Sequence, residues 1–167
     1  MPPDLSLRAF AFDDLPMLAD WLESPALRQW WGDPAEQLAL LAADLENPLM
    51  DQQIASLDGV AFGYMQSYPC NAWGAPQFAD MPDDARAVDT CIGVPDMLNK
   101  GHGAAMLRLY AQSLLTGGAS AVLIDPDPSN ERAVRSYRRA GFQDIGIRPG
   151  EDGDMVLVMR FDSTSFW

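Results

Sequence analysis

Two short segments of this 167-residue chain hold residues suited to gripping an anion and moving a proton. The first is Leu98-Asn99-Lys100-Gly101-His102-Gly103-Ala104, read between a strand and a helix. Glycines there let the backbone approach a ligand closely and turn its N–H groups inward. The helix start adds unpaired donors and the positive end of its dipole. Together these suit a pyrophosphate, and an ordinary strand-to-helix turn is the competing reading. The second segment is Asp125-Pro126-Asp127-Pro128-Ser129-Asn130, followed by Ala133, Tyr137 and Gly141-Phe142. Alone, Ser129 or Asn130 is a helix cap, and Tyr137 at helical spacing is a core residue. The spacing of the two segments says more than either.

The surrounding elements must place these segments. Leu5–Phe10 reads as a first strand, and a helix from Asp13 puts Leu15, Leu18 and Leu22 on one face. Asp33-Pro34-Ala35-Glu36 resembles a capping box, with Leu38, Leu41, Ala42 and Leu45 following at helical spacing. Ile54–Leu57 and Val60–Tyr68 flank Asp58-Gly59, a two-residue hairpin signal. Residues 69–86 read as a long loop in which Trp73 and Phe78 argue against disorder. Ala87–Val94 is a fourth strand. Gly101–Thr116 is a helix with Met106, Leu109, Tyr110 and Ser113 inward, stopped by Gly117-Gly118. Ser120–Ile124 is a fifth strand and Ser129–Ala140 a helix. Ile145–Ile147 and Met155–Phe161 finish the sheet across the acidic turn Glu151–Asp154. The order predicts a single α/β (α+β) domain over residues 1–167. Its mixed central sheet needs helices on both faces to cover strands such as Ala121–Ile124.

Eleven basic residues against 24 acidic ones leave a net charge of −13. Such a surface repels nucleic acid and anionic membrane and draws in cations, besides keeping the protein in solution. No run of eighteen apolar residues marks a membrane span, and Met1-Pro2-Pro3-Asp4 lacks the regions of a signal peptide. Cys70 and Cys91 are isolated, and His102 is the one histidine, so neither a disulfide framework nor a metal site is expected. The expectation is a cytoplasmic protein without a metal, as monomer or homodimer.

Gly101-x-Gly103 at a helix start resembles the acyl-CoA pyrophosphate loop of the GNAT superfamily of N-acetyltransferases. Asn130-x-x-Ala133-x-x-x-Tyr137-x-x-x-Gly141-Phe142, beginning 27 residues after Gly103, resembles that superfamily's C-terminal helix motif. Leu98 departs from the pattern, which has Gln or Arg there. A closer resemblance spans most of the chain. Trp21-Leu22, Trp30-Trp31-Gly32, Gly63-Tyr64-x-Gln66-Ser67-Tyr68, Val88-Asp89, Lys100-Gly101-x-Gly103 and Asp125-Pro126-x-Pro128-Ser129-Asn130 are similar to the aminoglycoside 6′-N-acetyltransferases. The siderophore lysine N-acyltransferases share much of this pattern.

The resemblance implies the GNAT fold, with the sheet splayed between the fourth and fifth strands and a pantetheine arm in the gap. It implies acetyl-CoA as co-substrate, held by Cys91, Ile92, Val94, Lys100, Gly101, His102, Gly103, Ala104, Asn130, Ala133 and Tyr137. It gives Asp89 the part of a base and Tyr137 that of an acid. An amine must lose a proton as it attacks a thioester, and the departing thiolate must gain one. Direct transfer needs no protein nucleophile, and nothing near Cys91 would activate it as an acyl carrier.

For a polycationic acceptor the site should be acidic and partly aromatic. Trp30, Trp31, Tyr64, Trp73, Asp80, Asp89, Asp125, Asp127 and Asp152 are the candidates, with Asp83, Asp84 and Asp154 behind them. A loop aspartate is as readily a solvated charge or a turn former. Adjacent Trp30 and Trp31 cannot point the same way, so one belongs to the core. Asp89 could instead pair with Arg86. Acylation of N-hydroxylysine or a diamine is the alternative activity, and a non-catalytic acyl-CoA-binding module is a third. The catalytic histidine of the siderophore enzymes has no counterpart at the acceptor side here, because His102 lies in the phosphate loop.

Overall fold

The computed structural model describes residues 3–164, so Met1 and Pro2 of the N-terminal segment lie outside the described residues. The chain forms two compact units. The first comprises the described residues of Met1–Gln66 together with Thr90–Met106, and the second comprises Ser67–Asp89 with those of Leu107–Trp167.

In the first unit β1 (Leu5–Ala9) pairs antiparallel with β2 (Asp51–Leu57), Leu5 opposite Leu57 and Ala9 opposite Gln53. Three helices stand between them: α1 (Leu15–Leu22), α2 (Pro25–Trp31) and α3 (Pro34–Asp44). Proline at the start of α2 and of α3 fixes φ where an N–H would have no partner. Asp33 then caps α3, accepting the Glu36 N–H at 3.0 Å. The sequence reading passed over α2. Seven residues between Ser24-Pro25 and Gly32 are too few to display a period, although the proline was a start signal. The turn from β2 into β3 (Val60–Pro69) has φ of 50° at Asp58 and 82° at Gly59, as a tight hairpin requires.

Leu18, Trp21, Leu22, Leu27, Leu41, Ile54 and Tyr64 form the core of this unit. Gly93 completes it by omission. A Cβ there would lie 1.9 Å from Trp21 Cδ2, so the indole can pack only against bare backbone.

The second unit takes up β3 at Ser67, the start of β4 (Arg86–Ile92), and α4 (His102–Thr116) from Leu107 on. β5 (Val122–Ile124), α5 (Glu131–Ala140), β6 (Phe142–Pro149) and β7 (Met155–Phe161) follow. The seven strands are hydrogen-bonded in the order β1-β2-β3-β4-β5-β7-β6. The β4–β5 pair is parallel and has two rungs, Arg86 with Val122 and Ala87 with Leu123. Asp89 therefore lies two residues past the last rung, on a stretch of β4 without β5 alongside. β5 turns its other edge to β7, antiparallel. The sheet is mixed, as expected.

The loop 69–86 is anchored rather than loose. Cys70, Ala75, Phe78 and Ala85 are buried with Ala87, Ala121, Leu123 and Val158. A single 3-10 turn, Pro76–Phe78, drives Phe78 into that cluster and carries Gln77 with it. The phase of α4 differs from the expectation. Met106, Leu107, Tyr110 and Ala111 face inward, whereas Leu109 is 37% exposed and Ser113 is exposed. The 3.6-residue period puts Leu107 and Ala111, four apart, on the buried stripe and leaves Leu109 outside it. β6 is longer than expected because its pairing with β7 continues through a bulge between Asp144 and Gly146.

Candidate active site

The first unit holds the anion-binding loop. A 3-10 turn, Pro95–Met97, leads from β4 to Leu98, and Asn99 and Gly101 then take φ of 61° and 83°. These left-handed residues swing the chain into α4. The first helical bond runs from the Ala105 N–H to the Gly101 carbonyl at 3.1 Å. The N–H groups of His102, Gly103 and Ala104 therefore stand ahead of the helical ladder, at the positive end of a 15-residue helix. His102 turns its ring edge toward Phe62, with centroids 5.9 Å apart. Lys100 is exposed on the same loop. A loop of this form fits a diphosphate.

Other candidates of this unit are placed in its core. Cys91 is 7% exposed and packs with Tyr64, with Val94 partly buried against the same cluster. Tyr64 is fully buried, and its hydroxyl donates to Gln66 Oε1 at 2.8 Å and accepts from Gln52 Nε2 at 2.9 Å. Trp31 packs edge-on against Tyr64 at 6.3 Å, while Trp30 is 38% exposed. The adjacent tryptophans thus divide between core and surface.

The second unit gathers carboxylates. Asp125, at the end of β5, feels the charges of Asp89 of β4 and Glu151 of the β6–β7 turn, and all three act on Tyr68. Burial is the chief cause that lifts Asp125, followed by the charge of Asp89; its pKa is raised to about 7. A hydrogen bond from Gln77 opposes the rise, and Glu151 adds to it. Gln77 Nε2 lies 3.0 Å from Asp125 Oδ2 and 3.4 Å from Glu151 Oε1. The Tyr68 hydroxyl is held protonated far above its usual range, by burial first and then by the same three acids. Trp73, 55% exposed, packs its ring on Tyr68 at 5.2 Å. Acid and aromatic groups therefore meet, and both charges that press on Asp125 are negative. A cation placed beside Asp125 would offset these charges.

Not every acidic candidate joins it. Asp80 is bound by Arg148, at 2.6 and 3.2 Å. Asp127 accepts from the Ser129 N–H and hydroxyl, which holds its carboxyl below the usual range. Asp152 accepts the Asp154 N–H at 3.1 Å and serves the turn. Arg86 donates to Ser67, to Oγ at 3.0 Å and to the carbonyl at 2.8 Å. Glu151, Gln77 and Tyr68 were not among the sequence candidates. Tyr68 stood in a quoted motif, Glu151 beside Asp152, and Gln77 gave no signal because it is neutral.

α5 carries the second motif. Asn130 caps it, its Oδ1 accepting the Ala133 N–H at 3.3 Å. Tyr137 is half-buried two turns on. Gly141 ends the helix at φ 113°, its N–H returning to the carbonyls of Arg138 and Tyr137.

Comparison with known proteins agrees with this arrangement. The model of the acetyltransferase (GNAT) domain family matches residues 11–148. Aminoglycoside N(6′)-acetyltransferase type 1 of Klebsiella pneumoniae is 30% identical over 165 residues, covering 93% of this chain and 82% of that protein. Lysine N-acyltransferase MbtK of Mycolicibacterium paratuberculosis is 28% identical, over 94% of this chain and 73% of that one. Aminoglycoside acetyltransferase AAC(6′)-Ib in complex with coenzyme A and kanamycin superposes with a TM-score of 0.81 at 30% identity, over 94% of each chain. A glycine-turned helix start, a capped helix carrying Tyr137 and a family match over most of the residues lead to one assignment: this chain belongs to the acetyltransferase (GNAT) domain family and is an acetyl-CoA-dependent N-acetyltransferase.

Proposed function

We propose that the chain transfers the acetyl group of acetyl-CoA to the 6′-amine of an aminoglycoside, a reaction that confers resistance. The observation that carries this reading is the acidic cluster of half-buried Asp89 and Asp125 with the exposed Glu151, flanked by Tyr68 and the exposed Trp73. Ammonium groups of a polycation would offset the negative charges that act on Asp125, and an exposed indole suits a sugar face or a cation. The acidic surface speeds the encounter. Partners of this kind are small molecules, not nucleic acid or membrane. The protein works in the cytoplasm, as monomer or homodimer.

Acetyl-CoA supplies the activated thioester carbonyl. The N–H groups of His102, Gly103 and Ala104 bind its pyrophosphate, with Lys100 and Gly101 completing the loop. Cys91 and Ile92 at the end of β4 and Val94 just past it bind the pantetheine, with Asn130, the cap of α5, and Ala133 in its first turn. Asp89 holds the acceptor ammonium and takes its proton at a carboxylate oxygen, directly or through one water. Asp125 anchors the acceptor beside it. Tyr137 gives its phenolic proton to the leaving sulfur.

A β-branched side chain at Gly103 obstructs the loop's approach to the diphosphate. Gly103→Val should weaken acetyl-CoA binding by tenfold or more in calorimetry while the far-ultraviolet circular dichroism stays native. Unchanged affinity in the folded variant would remove the loop from the cofactor site. Asp89→Asn is nearly isosteric and deletes the charge. It should lower kcat/KM for the acceptor at least about tenfold, or roughly 1.4 kcal/mol of transition-state stabilisation, and leave the acetyl-CoA KM unchanged. A variant that loses thermal stability but keeps turnover would mean that Asp89 serves the fold alone.

Thiol release from acetyl-CoA, followed with kanamycin, a simple diamine, N-hydroxylysine and a lysine peptide, tests the function. Kanamycin should have the highest kcat/KM. Turnover of N-hydroxylysine in preference would transfer the chain to siderophore synthesis, and silence with every amine would make it an acyl-CoA-binding module.

A further inference from the structure

We propose that Gln77 is the positioning residue of the acceptor site: its amide bridges Asp125 and Glu151, and the Arg148–Asp80 ion pair locks the turn that presents it. The proposal rests on the reading of Asp125 as an acceptor-binding group.

Gln77 is an unexpected residue for its surroundings. It is 2% exposed, on a single 3-10 turn whose neighbours Ala75 and Phe78 belong to an apolar cluster. Its Oε1 is buried without a hydrogen-bond partner among the described residues. A buried carboxamide with one end unsatisfied destabilises the fold unless its other end makes a strong contact. That contact is Nε2, whose two hydrogens point at two carboxylates from different loops, 3.0 Å to Asp125 Oδ2 and 3.4 Å to Glu151 Oε1. The amide orientation follows from this chemistry, because the flipped form would set oxygen against oxygen. A donor placed between two acids offsets their repulsion and fixes the direction in which Asp125 presents its other oxygen.

The turn is held from behind. Arg148 of β6 donates through Nη1 to the Gln77 carbonyl at 3.0 Å and grips Asp80, three residues on, through both Nη atoms. An exposed ion pair of this kind adds little stability by itself. Its effect here is geometric, since one guanidinium joins the turn's backbone and its far end to the strand that leads into Glu151. The charges that act on Asp125 from other elements, Asp89 of β4 and Glu151, are both negative, and the Tyr68 hydroxyl beside them stays protonated. Gln77 is the residue that counters the rise in Asp125's proton affinity and aims its carboxylate.

Gln77→Met keeps the volume and removes both N–H donors. Asp80→Asn unlocks the turn from an exposed position and leaves the cluster's own residues intact. The Asp125 carboxyl is titrated by carbon-13 NMR in the free enzyme, and kcat/KM for kanamycin is measured across pH. In Gln77→Met the titration and the acidic limb of kcat/KM should both move to higher pH. At pH 7 kcat/KM should fall about tenfold, recovering in alkaline buffer, with the acetyl-CoA KM unchanged. Asp80→Asn should move both in the same direction by less. Charge alone argues the opposite there, because removing a distant anion lowers a carboxyl's proton affinity. Should Gln77→Met fail to fold, the direction of the Asp80→Asn shift decides. A titration that stays put in the folded variants, or falls in Asp80→Asn, overturns the proposal. A titration that moves while the kinetic limb does not overturns the reading beneath it, by taking Asp125 out of the acceptor site.

Discussion

Tyr137→Phe should reduce kcat by about 10²–10⁴-fold, the usual worth of a positioned general acid, with little change in either KM. The substitution keeps the ring and removes only the phenolic oxygen, so the half-buried packing of Tyr137 on α5 survives. An alkyl thiolate is a poor leaving group until it is protonated, and the phenol acts only as the bond to sulfur breaks. The loss therefore belongs to kcat and not to binding. Steady-state rates at saturating acetyl-CoA and kanamycin measure it. A Phe variant with near-native kcat would make Tyr137 a packing residue and leave the sulfur to depart without help.

Asp125→Asn should have two opposite effects. The wild-type carboxyl is raised from 3.8 to about 7, so the folded state binds its proton more tightly than the unfolded state does. Stability supplied by that proton is complete below about pH 4 and is lost as pH rises toward 7. The free Asn variant, which carries no charge, should thus melt higher than wild type at pH 8. The gain should be on the order of a few degrees for a chain of this size and should vanish toward pH 4. Activity should go the other way, kcat/KM for the aminoglycoside falling about a hundredfold, because the acceptor's ammonium loses a desolvated partner. Thermal melts across pH with parallel kinetics test the pair of effects. A variant that is less stable at pH 8, or equally active, would mean that Asp125 is not a strained, cation-seeking carboxylate.

What could be read from the sequence was local. The glycine-turned helix start and the Asn130-to-Tyr137 spacing are backbone chemistry within a few residues, and both hold their expected places on α4 and α5. Asp58-Gly59 announced its hairpin for the same reason. The acidic cluster was legible only in part. Asp89 and Asp125 were named, but Glu151 was passed over for Asp152, since the register of a tight turn decides which of two adjacent acids reaches Gln77. Asp80 and Asp127 read as acceptor-site candidates from the sequence, where their partners are not visible, and Arg148 lies 68 residues from Asp80. Tyr64 stands on a strand whose residues from Phe62 to Ser67 are all buried, so alternation could not tell core from cleft. Gln77 was invisible because a search for charge overlooks a neutral amide. Its role comes from the turn that buries it.

The most direct test of the central claim is the identity of the product. The protein is incubated with acetyl-CoA and kanamycin, and the product is isolated and its acetylated nitrogen located by NMR. One added acetyl group is expected, on the 6′-amine. Acetylation at another amine, or no aminoglycoside product while N-hydroxylysine or a lysine peptide is acylated, would contradict it.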